Sequence, residues 1–120
     1  MKLAIPVDEK RLDSTICVSF GRAPYFMFYD TEAKTETYIN NPGAASQGGA
    51  GIKAAQIIVD EKADALLTIR CGENAGELFE AAKISVFKTK GITAKENIEA
   101  YEKGELLPLT EFQRGFGGRW

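Results

Sequence analysis

Beyond Gly51 the hydrophobic period of this chain changes from two residues to about 3.6, and that single switch restricts the folds it can adopt. Before it, every element reads as a strand. Lys2 to Val7 is a short apolar run closed by the polar Asp8-Glu9-Lys10-Arg11. Thr15 to Phe20 is β-prone but irregular. Tyr25 to Tyr29 is aromatic-rich, as a central strand should be. Thr35 to Ile39 alternates, and the polar turn Asp30 to Lys34 between the last two runs predicts an antiparallel hairpin. After the switch, Ile52, Ala55, Ile58 and Val59 share a helical face. Ala65 to Ile69 is an apolar run suited to a strand covered on both faces. Ala75, Leu78, Phe79 and Ala82 form a second helical stripe, and Ile84 to Phe87 a further strand. Thr93-Ala94-Lys95-Glu96 is a capping box opening a third helix, which Gly104 ends at the left-handed cap position.

The order is strand, strand, strand, helix, strand, helix, strand, helix. This predicts an α/β fold with one five-stranded mixed sheet and helices packed on it. The strand order 3-2-1-4-5, that of ribonuclease-H-like folds, follows by analogy. Periodicity is lost from Glu105 onward. The expected organisation is a single domain over 1–107 and a loose glycine-rich, aromatic and basic tail over 108–120.

Composition removes several functions. None of the 120 residues is histidine, so imidazole acid–base catalysis, Ser-His-Asp or Cys-His nucleophiles and His-containing metal sites are excluded. The net charge of -2 gives nucleic-acid binding by counterion release little to work with. The two cysteines, Cys17 and Cys71, cannot by themselves complete a four-thiolate zinc or iron–sulfur site. The apolar run at the N-terminus is too short for a signal peptide, and no segment reads as a membrane span. A cytoplasmic location with reduced thiols is the expectation.

The topology predicts where chemistry collects. Strands one and four run parallel, so their carboxyl ends share one edge, and the hairpin returns to it. The loops Asp8 to Ala23, Ala44 to Gly51 and Arg70 to Asn74 should converge there, where ligands of open α/β sheets bind. Gly48-Gly49-Ala50-Gly51 leads into a helix whose free amides attract anions. Equally, it serves as a flexible connection with close helix–sheet packing. Its spacing matches neither a dinucleotide fingerprint nor a P-loop, so no nucleotide is expected. Arg22, in Phe20-Gly21-Arg22-Ala23-Pro24, pairs with an anion in that cleft or makes a surface ion pair. Cys71, beside Arg70 and a helix start, should have a lowered thiol pKa; the plainer alternative is a small residue filling a tight turn. Cys17, in Ile16-Cys17-Val18, reads first as strand-core filler. Two thiols facing one cleft favour a soft metal or a metal–sulfide cluster. The carboxylates Asp8, Asp30 and Asp64 fall at different strand ends, which makes a two-metal nuclease a poor reading.

Taken together and in order, several pieces resemble the dinitrogenase iron–molybdenum cofactor biosynthesis family, the NifX-type domains also found at the carboxyl end of NifB. They are Ala4-Ile5-Pro6-Val7-Asp8, Phe20 to Phe26, Gly48 to Gln56, Gly72-Glu73-Asn74-Ala75 and Ala100 to Leu106. The resemblance implies a ribonuclease-H-like fold. It also implies a non-catalytic protein that binds, carries or shelters an iron–molybdenum-type or other metal–sulfide cluster. Cofactor-biosynthesis or cluster-accepting proteins would be its partners. In those terms Arg22, Gly48, Gly49, Gly51, Gly72 and Asn74 are the cofactor-binding candidates, and Cys71 and then Cys17 the metal ligands. The family often places histidine before Phe-Gly-Arg; here Ser19 stands there. The alternative reading is a cofactor-free protein-interaction module on the same fold, docking partners through the sheet and the tail Phe116 to Trp120.

Overall fold

The computed structural model describes residues 1–45 and 48–109. Its strands are β1 (Lys2–Val7), β2 (Tyr25–Asp30), β3 (Thr35–Asn40), β4 (Ala65–Thr68), β5 (Ser85–Lys88) and β6 (Leu107–Pro108). The helices are α1 (Ala50–Asp60), α2 (Glu73–Ala81) and α3 (Ala94–Glu102). One mixed sheet runs β3-β2-β1-β4-β5-β6. The order expected from the sequence stands, with one strand added at the far edge. In β6, Leu107 and Pro108 pair antiparallel with Lys88 and Phe87, and the Leu109 amide donates to Val86 O at 2.8 Å. Two residues are too few to carry a period, which is why the sequence hid this strand. The rest of the expected tail, including Phe116 to Trp120, lies outside the described residues.

β1 is central and buried on both faces, because alternate side chains serve two separate cores. Leu3, Ile5 and Val7 join Met27, Leu67 and Ile98 of α3 on one side. Ala4 joins Phe26, Phe28, Leu66 and the inner stripes of α1 and α2 on the other. The small Ala54, Ala55 and Ala75 bring α1 and α2 close to the sheet, and the fully buried Phe79 fills the space between. Phe20 meets the Phe79 and Phe26 rings at centroid distances of 5.6 Å, and so anchors the long β1–β2 loop onto this core.

Strand direction builds a rim. Val7 at the end of β1 pairs with Tyr25 at the start of β2, and Tyr25 pairs with Asn40 at the end of β3. β4 runs parallel to β1, so Thr68 ends on the same side. The segments leading out of β1, β3 and β4 therefore emerge together. The irregular run Thr15 to Phe20 is no full strand; it contributes only the bridges Val7–Ile16 and Thr15–Thr93.

The capping box opens α3 as expected. The Glu96 amide donates to Thr93 Oγ1 at 3.2 Å, and the Thr93 amide to Glu96 Oε1 at 3.1 Å. The Thr93 amide and the Thr93 hydroxyl both donate to the Glu96 carboxyl and hold it below its usual range, so their support is present above that range and fades as pH falls through the lowered value. The buried Asn97 accepts from the Lys90 amide at 2.9 Å and donates to Thr93 O at 2.9 Å, which closes the β5–α3 loop. Replacing Thr93 by Ala should destabilise the fold by about 1 kcal/mol, measured by urea denaturation. An unchanged midpoint would show that the cap contributes nothing.

Candidate functional site at the sheet rim

α1 begins at Ala50, inside the glycine-rich stretch rather than after it. Its N-cap is Gly49, in the left-handed region at φ 70°, with no side-chain cap and no acidic residue in the first turn. Among the described residues, the Lys53 amide is the first to bond back, to Gly49 O at 3.0 Å. The N–H groups of Ala50, Gly51 and Ile52 thus head the helix with no capping side chain in front of them. A Cβ added at Gly48, Gly49 or Gly51 would meet nothing within 4 Å. Close helix–sheet packing is therefore not why those glycines are there; they leave bare backbone at the rim.

Close packing is required at Gly21 instead. A Cβ there would lie 2.8 Å from the Gly51 nitrogen and 3.0 Å from its Cα. The Phe20-Gly21-Arg22 turn therefore rests directly against the first turn of α1. Arg22 Nη1 donates to Ala44 O at 3.1 Å, which puts its guanidinium over the single 3₁₀ turn Pro42–Ala45 that precedes the glycines. Behind both turns sits the buried Asn41, whose side-chain amide donates to Gly21 O at 3.0 Å and Ala23 O at 2.8 Å and accepts from the Gly43 amide at 3.1 Å. Sequence reasoning missed Asn41 and the role of Gly21. Asn40-Asn41-Pro42-Gly43 reads as an ordinary hairpin ending, and nothing local shows that an Asn side chain reaches back some twenty residues.

The thiols differ from expectation. Cys71 is fully buried among Phe20, Phe79 and Ala75, and burial pushes its thiol up to about 12. The expected lowering by a helix start and Arg70 is thus reversed: Cys71 is buried in the apolar core, and desolvation there disfavours the thiolate. The Cys71 thiol donates weakly to Gly72 O at 3.5 Å. Cys17 is half-buried at the end of β1, its amide bonded to Pro6 O at 3.0 Å. Its thiol is also raised, by burial first and by the neighbouring Asp8 carboxylate, against a backbone hydrogen bond from Ser19. Among the described residues no three Cys, Asp or Glu side chains gather as a metal site.

Gly72 is the half-buried N-cap of α2, likewise without a side-chain cap, but Glu73 places a carboxylate in that first turn. Asn74 is exposed one residue further on. α1 and α2 pack on the same face and both start at this rim, so the glycine-rich segment, Arg22, Gly72 and Asn74 belong to one end of the molecule.

Comparison with known proteins supplies the lineage. The orange protein of Desulfovibrio gigas, solved in its apo form, is 28% identical, with 91% of this chain and 96% of that chain covered at a TM-score of 0.84. A candidate NifB protein from Thermotoga is 36% identical, with 96% and 98% covered at a TM-score of 0.82. A candidate dinitrogenase protein from Methanocaldococcus jannaschii, 24% identical at a TM-score of 0.71, shares the fold, with 92% and 96% covered. No curated protein matches the sequence. The family described as dinitrogenase iron-molybdenum cofactor matches residues 1–104, nearly all of the described fold, and the chain belongs to that family.

Proposed function

We propose that this protein is a non-catalytic carrier that docks an anionic metal–sulfide cluster, of iron–molybdenum or related type, at the start of α1. The observation that carries the reading is the uncapped terminus: three amides, no acidic side chain in the first turn, and open space at Gly48, Gly49 and Gly51. Cluster sulfides accept hydrogen bonds and carry negative charge, which is what such a terminus attracts. Three amide bonds to a charged acceptor, at about 1.5–3 kcal/mol each, span millimolar to micromolar affinity without a metal–protein bond. That range suits a carrier, which must also release its load. With a net charge of -2 the whole-molecule field gives no help, so the attraction is local.

In this reading Arg22 adds positive charge beside the glycines, and Gly72 and Asn74 form the far side of the site. The thiols have unequal parts. Cys17 is the sulfur at the rim and is assigned any direct contact with metal; Cys71, first choice on sequence grounds, is assigned to packing. Family membership and likeness to the orange protein support a cofactor-handling role and cluster-handling partners.

Anaerobic reconstitution with iron, molybdate and sulfide, read by absorption and metal analysis, tests this directly. Ile52 is exposed in the first turn of α1, and Ile52→Glu places a carboxylate among the same amides. It should stabilise the helix slightly while weakening cluster uptake about tenfold. Equal uptake by the variant would remove the α1 terminus from the account. Because the Cys17 thiol is raised, ligation by it must release a proton, so uptake through this sulfur should increase between pH 7 and 9. Cys17→Ser should flatten that dependence, whereas Cys71→Ser should leave it intact. A flat wild-type profile would assign binding to the amides and charge alone.

A further inference from the structure

We propose that Asn41 is a positioning residue that holds the start of α1 open for its ligand. The inference rests on the reading of that terminus as the docking site and names the group that sets its geometry. Asn41 is buried, at 6% exposure, and nearly every polar atom it owns is committed to the rim. Its amide donates to Pro24 O at 3.0 Å, and its carbonyl accepts from the Ala44 amide at 3.2 Å. Its side chain donates twice, to Gly21 O and Ala23 O, and accepts once, from the Gly43 amide. Two carbonyls and one N–H fix which way the side-chain amide faces, and no other uncharged side chain of this size supplies two donors and an acceptor.

The two turns that Asn41 joins are the two that touch the first turn of α1. Gly21 lies against Ala50 and Gly51, close enough that a Cβ would reach 2.8 Å from the Gly51 nitrogen. On the other side a Cβ at Gly43 would lie 3.1 Å from Lys53 Cβ. One side chain therefore sets the distance between both turns and the amides. A shift of a few tenths of an ångström at Gly21 would move backbone toward the Gly51 N–H. Removing the two donated bonds leaves two buried carbonyls without that partner and frees the turn to move.

The test uses the isosteric Asn41→Asp, which keeps an acceptor for the Gly43 amide but sets a carboxylate oxygen against the Gly21 and Ala23 carbonyls. Asn97→Asp is the control: it is also a buried asparagine with backbone partners, but it lies at the β5–α3 loop. Both variants should lose stability in urea. Only Asn41→Asp should shift the backbone amide resonances of Gly49 to Lys53 in the ligand-free protein. It alone should also weaken binding of tetrathiomolybdate, a soluble molybdenum–sulfide dianion, by about tenfold or more, as loss of an outer-shell partner does elsewhere. The proposal is overturned if those amide resonances stay in place in Asn41→Asp, or if Asn97→Asp moves them equally. It is also overturned if the two variants lose affinity alike. The ligand-free spectrum decides the positioning role even if wild-type protein fails to bind tetrathiomolybdate, a result that would count against the docking reading instead.

Discussion

The pairing of β1 with its two neighbours governs everything else in this molecule. β1 runs antiparallel to β2 and parallel to β4, and it is buried on both faces. A register slip of one residue would turn Leu3, Ile5 and Val7 toward α1 and α2 and leave Ala4 facing α3, emptying one core and overfilling the other. The same strand directions gather the exits of β1, β3 and β4 at one rim. The rim on which the proposed site lies is thus a consequence of how the cores are filled.

At that rim two kinds of chemistry compete, and magnitudes separate them. Ligation through a thiolate must displace the thiol proton, and burial raises both thiols here, Cys71 to about 12, which makes that displacement costlier. Backbone amides need no deprotonation and no reorganisation. In the proposed docking, fixed donors that release no proton therefore suit this rim better than soft ligation. The absence of histidine from the chain fits the same division of labour. The proposed site of N–H groups would leave the metal's own bonds to the cluster's sulfides.

Much of this was legible in the sequence. The hairpin and the three helices follow from periodicity, because each long element shows its buried stripe, and the strand order came by analogy with ribonuclease-H-like folds. The convergence of three loops followed from strand direction alone. Features that depend on contacts between distant residues were not legible. The β6 strand is two residues long. Cys71 is buried in the same core as Phe20, Phe79 and Ala75, and no local pattern around Cys71 announces that. Asn41 reaches Gly21 through space, past the whole of β2 and β3. The glycines at 48, 49 and 51 were read as either packing or ligand approach, and only the empty space around them decides against packing.

The most direct measurement is a crystal structure of the protein reconstituted with iron, molybdate and sulfide, with the metals located by anomalous scattering. The account predicts metal density over the first turn of α1, its sulfides within hydrogen-bonding distance of the Ala50, Gly51 and Ile52 amides and its metals unligated by Cys71. Density bonded to Cys71, or seated away from the rim between α2 and β5, would contradict it.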